Sequence, residues 1–177
     1  MRFLKTFFII LLIVLPLSIV SAQDTTVNYV LASVNCNSGI YKPNLPNTIN
    51  AFRLLGKRNK EKIQPASDYT GDPKTHTSAI FWYDGMTLAT VFGNKKPYEY
   101  FLESATFSHS RWNRYTPIKV GATIQPFLSK NKLSSVPAET TLVHICNSTE
   151  EEGAADCIDL SIKEGVIMEI KYECYTG

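Results

Sequence analysis

The stretch from Cys157 to Cys174, CIDLSIKEGVIMEIKYEC, alternates apolar and polar residues at period two on both sides of a Glu164-Gly165 pair. That pattern reads as two antiparallel strands joined by a tight turn, with one face buried and the other in water. On the first strand it places Ile158, Leu160 and Ile162 inward and Asp159, Ser161 and Lys163 outward. On the second it places Val166, Met168, Ile170, Tyr172 and Cys174 inward, with Glu169, Lys171 and Glu173 opposite. TTLVHIC, just upstream, reads as a third strand with Val143 and Ile145 in and His144 and Cys146 out. TTVNYVLASVNC reads as another, with Val30, Ala32, Val34 and Cys36 inward.

The cysteines add a covalent constraint. Ahead of the first strand, Arg2 and Lys5 precede an apolar run from Phe7 to Leu17, and small residues at Val20 to Ala22 suit a signal peptidase. The run is shorter than the roughly 20 residues of a membrane span, so a cleaved secretory leader over residues 1–22 is expected, with no membrane anchor after cleavage. In an exported chain, four cysteines suggest two disulfides. Strand parity puts Cys146 and Cys157 on the outer face and Cys36 and Cys174 on the inner face. It therefore favours Cys146–Cys157 and Cys36–Cys174. The leader's two basic residues account for the whole net charge of +2. The exported part is neutral, and nothing in it points to nucleic acid or an anionic membrane surface.

The middle of the chain is also β. SAIFWYDGMTLATVFG carries Asp84-Gly85 between two β-prone runs, a strong hairpin signal. YEYFLESATFSH supplies a further strand. Residues 66–78 read as a loop, and SHSRWNRYTP, residues 108–117, shows no period and reads as a connector. Two short helices complete the set. Leu45, Ile49 and Phe52 recur at helical spacing, and so do Val120, Ile124, Phe127 and Leu128. TINAFRLLGKR at 48–58 and TIQPFLSKNKL at 123–133 match at Thr, Ile and Phe, with Thr48 and Thr123 placed as N-caps and Pro126 as the third helical residue. The expected fold is α+β: short helices on one face of an antiparallel sheet, as a tandem repeat of a helix-plus-three-strand module. Residues 23–116 form the N-terminal strand and first module, and 117–177 the second.

IKVGATIQPFL opening a helical segment, with the terminal hairpin IKEGVIMEIKYE, resembles the α/β module of the beta-lactamase inhibitor protein family, which the small outer-membrane assembly lipoproteins of the SmpA/OmlA type share. The resemblance implies tandem modules, export and a role in recognising a protein partner, as an inhibitor or envelope factor. It carries no inhibitory residue onto this chain.

Chemistry-bearing patterns are sparse. His76, His109 and His144 fall at no metal-ligand spacing, and no nucleophile elbow or phosphate loop occurs. Asp68, Asp72 and Asp84 are read as turn formers, and the acidic run in NSTEEEGAAD as a solvated tip, with a glycan sequon at Asn147. No cofactor or metal is expected. Trp82, Tyr98, Tyr100, Trp112 and Tyr115, with Arg111 interleaved, form the most suggestive set, because such residues anchor protein interfaces. The leading expectation is an exported, secreted or periplasmic, non-catalytic module that binds a protein partner. The rival is a small secreted enzyme or ligand-binding protein with a pocket between helices and sheet.

Overall fold

The computed structural model describes residues 25–46, 48–66, 74–94, 96–148 and 155–175. The leader, Asp68, Asp72 and the acidic run at 149–154 lie outside those residues. The elements are β1 (Thr25–Val30), α1 (Ile49–Arg53), β2 (Arg58–Pro65), β3 (His76–Tyr83), β4 (Met86–Gly93), β5 (Lys96–Phe107), a 3-10 turn (Ser110–Tyr115), α2 (Gln125–Lys130), β6 (Thr140–Cys146), β7 (Cys157–Lys163) and β8 (Val166–Glu173). The strands form one eight-stranded sheet in the order β1-β6-β7-β8-β5-β4-β3-β2. The protein is therefore α+β.

The sheet is mixed rather than antiparallel throughout, because β1 runs parallel to β6. Alternation along β1 reports which face a residue takes and is silent on its neighbour's direction. The parity expected for β1 is also reversed. Tyr29 packs against the core, whereas Val30 is 55 % exposed and Ala32 is exposed too. The strand ends at Val30, and a turn closed by Val34 N–H to the Leu31 carbonyl resets the phase. Val34 and Cys36 are then buried as expected.

The C-terminal hairpin follows the period-two reading up to one slip. Ile158, Leu160, Ile162, Ile170 and Tyr172 are buried. Glu164 and Gly165 both take positive φ, the geometry of a two-residue turn matched to the strand twist. The register shifts between Ser161 and Ile162, so Ile162 faces Ile167. That bulge turns Ile167 into the core and leaves Met168 48 % exposed, the reverse of the expected pair.

Both helix starts carry threonine, but only one uses it as a cap. Thr48 Oγ1 accepts the Ala51 N–H at 3.1 Å. Thr123 instead bridges to Val166 of β8, and Ile124 stands at the start of α2 with no side-chain cap. Pro126 falls one position earlier than expected, second in the helix, where no intrahelical N–H bond is lost.

The core gathers Phe52 of α1, Phe81, Leu88 and Phe107 of β3 to β5, Leu128 of α2, and Val143, Ile145, Leu160, Ile170 and Tyr172 of β6 to β8. The disulfides Cys36–Cys174 and Cys146–Cys157 fasten it, in the pairing that parity favours. The Tyr172 hydroxyl and Thr116 Oγ1 share a buried hydrogen bond of 2.8 Å.

Burial pushes the phenols of Tyr83 and Tyr100 up to about 12, and burial raises Tyr172 as well. In the unfolded chain a phenol ionises near pH ~10. The folded protein thus retains protons that the unfolded chain releases. The stability these phenols contribute is full below about pH 10 and is lost as pH rises toward about 12, by at most about 1.4 kcal/mol per pH unit for each phenol. The urea midpoint is expected to be flat between about pH 7 and 9 and to fall steeply above about pH 10. A midpoint unchanged through about pH 11.5 would show that water reaches these hydroxyls in the folded state.

Candidate partner-binding surface

SRWNRY adopts a 3-10 helix, in which residues three apart eclipse one another. Trp112 and Tyr115 therefore stand on one line, and Arg111 and Arg114 on the next. This three-residue period explains the interleaving seen in the sequence. The Trp112 ring lies 5.6 Å from Tyr83 and 6.0 Å from Tyr115. Each arginine covers its aromatic neighbour, Arg111 over Trp112 at 5.3 Å and Arg114 over Tyr115 at 4.7 Å. His109 caps the turn, its Nδ1 accepting the Arg111 N–H at 3.2 Å.

The β3–β4 turn holds this corner in place. The Asp84 carbonyl accepts the Trp112 indole N–H at 2.9 Å, and Arg111 bonds both the carbonyl and the carboxylate of Asp84. Gly85 is required at positive φ, and a Cβ there would meet the His109 Cβ at 2.6 Å. The Ser108 N–H closes the contact on the Gly85 carbonyl. Between this corner and the start of β2 lies an open cleft of about 410 Å³ lined by Leu55, Gly56, Lys57, Asn59, Asp84, Arg111, Trp112 and Arg114. Its one carboxylate is engaged by Arg111. Among the described residues, no carboxylate lies within ion-pair distance of Lys57 or Arg114. The cleft therefore carries net positive charge beside a buried aromatic floor.

The six residues expected to form one platform are divided. Trp112 is 5 % exposed and belongs to the core. Tyr100 and Tyr115 are half-buried against it, Tyr100 with its ring 5.1 Å from Phe52. Trp82 alternates with the buried Phe81 and Tyr83 and lies half-buried on the opposite side of β3, under the Lys60 ammonium at 5.2 Å. The Tyr98 side chain lies outside the described residues. Of the five whose side chains are described, only Arg111 is exposed. Lys57 joins the cleft without any signal in the sequence, since it lies in a short link between α1 and β2 with no period of its own.

The histidines each have a defined place. His76 Nδ1 lies 3.0 Å from Thr75 Oγ1. His144 stands on the side of β6 opposite the buried Val143 and Ile145, where the register sets it directly across from Asp159 of β7. Its Nδ1 is 2.5 Å from Asp159 Oδ1, and its Nε2 is 2.9 Å from Cys146 Sγ. His144 Nε2 and the sulfurs of Cys146 and Cys157 lie within 4.8 Å of one another. While the sulfurs are joined, neither is a thiolate, the form a metal needs. On the same sheet face, burial raises the Glu103 carboxyl above its ordinary range, opposed by the Ser78 hydroxyl 3.3 Å away. A second cavity, about 260 Å³, is lined mainly by apolar groups including Tyr41, Ile118, Phe127 and Ile167, with Lys119 and Lys130 its charged residues.

No protein-family model matches the chain, and neither a curated protein nor a solved structure does.

Proposed function

We propose that the protein is an exported, non-catalytic binding module, and that the cleft beside the 3-10 turn receives an acidic segment of a protein partner. The single observation that carries this reading is the charge arrangement there. Lys57 and Arg114 stand around a cleft whose only carboxylate already serves Arg111. A partner carboxylate entering it gains two cations on an aromatic floor that the fold has already ordered, so little side-chain entropy remains to be lost. Two disulfides support the exported setting, and no helix of the described residues is long and apolar enough to cross a membrane. In this reading, α1 with β2 to β5, four strands where three were expected, and α2 with β6 to β8 are two modules of a tandem pair with their helices on one sheet face, similar to the beta-lactamase inhibitor protein family. The apolar cavity at Tyr41 and Ile118 offers no histidine or carboxylate for an enzyme to use.

The test is capture from an exported-protein fraction by the oxidised protein and by the Lys57→Glu, Arg114→Glu double variant. A partner held by the wild type and eluted by salt or by an acidic peptide is expected to weaken at least about tenfold toward the variant, as charge reversal at a binding site does. A partner that binds both proteins equally would remove the cleft from the interface.

A further inference from the structure

We propose that Cys146–Cys157 is an exchange-active disulfide, in which His144 donates a proton to the departing Cys146 sulfur and Asp159 positions the imidazole. The reading is independent of the cleft. It rests on three facts of the outer sheet face. First, Cys146 is 4 % exposed while its partner Cys157 is half-buried, so of the two residues Cys157 is the more open to an incoming thiolate. Second, the Cys146 sulfur, which would then leave, already has His144 Nε2 at 2.9 Å. Third, the far side of that ring is fixed: Nδ1–H donates to Asp159 Oδ1 at 2.5 Å, so a second proton on Nε2 points at sulfur and its positive charge is offset by the carboxylate.

The chemistry is ordinary thiol–disulfide exchange with a small monothiol as reductant. Its thiolate attacks Cys157 Sγ and forms a mixed disulfide. The Cys146–Cys157 bond breaks, and its electron pair departs on the Cys146 sulfur, which takes the proton from Nε2. A second thiolate attacks the reductant's own sulfur in the mixed disulfide, releasing Cys157. In sum, two reductant thiols are oxidised to one disulfide, and the protein gains two thiols. A leaving thiol stabilised as it departs leaves faster, and a histidine beside it is a recognised source of that stabilisation.

Cys36–Cys174 is the built-in reference. Cys36 is 1 % exposed, its N–H bonds the buried Asp156 carboxylate, and its sulfur lies against the Glu173 carbonyl at 3.6 Å. That surrounding disfavours a departing thiolate.

The experiment exposes the native protein to excess glutathione near neutral pH, quenches with acid, alkylates and maps each cysteine by mass spectrometry. The expected first product carries glutathione on Cys157 and a free Cys146, with Cys36–Cys174 intact. His144→Gln is expected to slow that step on the order of tenfold, and Asp159→Asn to slow it less. A pH profile separates proton donation from a change of access. The groups facing His144 are Asn28 of β1 and Asp159 of β7, with Lys171 of β8 beyond Asp159. Once corrected for the thiolate fraction of glutathione, the wild-type rate should rise as pH falls, and the His144→Gln rate should be flat. First opening of Cys36–Cys174, glutathione on Cys146, or parallel pH profiles in the two proteins would overturn the proposal.

Discussion

Phe52→Ala is expected to destabilise the protein by about 3–5 kcal/mol, the range for emptying a buried aromatic site. The size follows from how little else holds α1. The helix has five residues, too few to persist alone. Its ring is fully buried, with centroids 5.6 Å from Phe81, 6.0 Å from Phe92 and 5.1 Å from Tyr100. Its carbonyl also accepts the Tyr83 hydroxyl at 2.5 Å, so the ring and the backbone act at one point of the sheet. Removing the ring leaves a void among three rigid aromatics on adjacent strands, which cannot collapse without bending the sheet. Leu54, two residues on, is 84 % exposed, and Leu54→Ala should change stability by no more than about 0.5 kcal/mol. Urea unfolding of the two variants measures the contrast. A Phe52→Ala protein within about 1 kcal/mol of the wild type would mean that α1 is not held by this ring.

Sequence is informative where backbone geometry restricts the residue choice. Asp84-Gly85 and Glu164-Gly165 announce their hairpins, because a turn that needs positive φ and strands that alternate leave visible residue choices. The exchange of Ile167 for Met168 was not legible, since a bulge moves one residue and both candidates are apolar. β2, RNKEKIQP, was not legible either. It is an edge strand whose lysines face water while Glu61 pairs with Arg53 and Arg58, and such strands hide their pairing edge with charge instead of alternating. The aromatic set was visible as a composition, yet composition does not say which side of a strand a ring takes. Trp82 faces away from the buried Phe81 and Tyr83 of β3, whereas the 3-10 turn carries Trp112 into the core. The juxtaposition of His144 and Asp159 was within reach of the sequence. Both carry outward parity, and pairing Cys146 with Cys157 sets the register that brings them together.

The second large effect concerns the long disulfide. Replacing Cys36 and Cys174 together by alanine is expected to cost up to about 5 kcal/mol in the loop-entropy picture, because the bond closes a sequence separation of 138. The same change at Cys146 and Cys157, separated by 11, should cost about 3 kcal/mol. The longer bond matters for a structural reason too. From Leu31 to Pro46 the chain lies outside helix and strand, and Val34, Tyr41 and Leu45 carry it across the core. Its remaining long-range polar ties are scattered single bonds: the Cys36 N–H donates to Asp156 at 3.0 Å, the Leu102 N–H to Asn37 at 3.0 Å, the Asn44 N–H to the Tyr115 carbonyl at 2.8 Å, and the Tyr41 hydroxyl to Asn131. Without the covalent bond, this segment can open while the sheet persists, so part of the loss should appear as protease cleavage within residues 31–46 before global unfolding. Urea midpoints rank the two double variants, and limited proteolysis locates the opening. If the Cys146, Cys157 variant proved the less stable, loop closure would not be what sets the contribution of these bonds, and packing around Cys146 would have to be. If the two rank as expected, the terminal staple is the fastening that lets a segment without regular structure serve as part of the core.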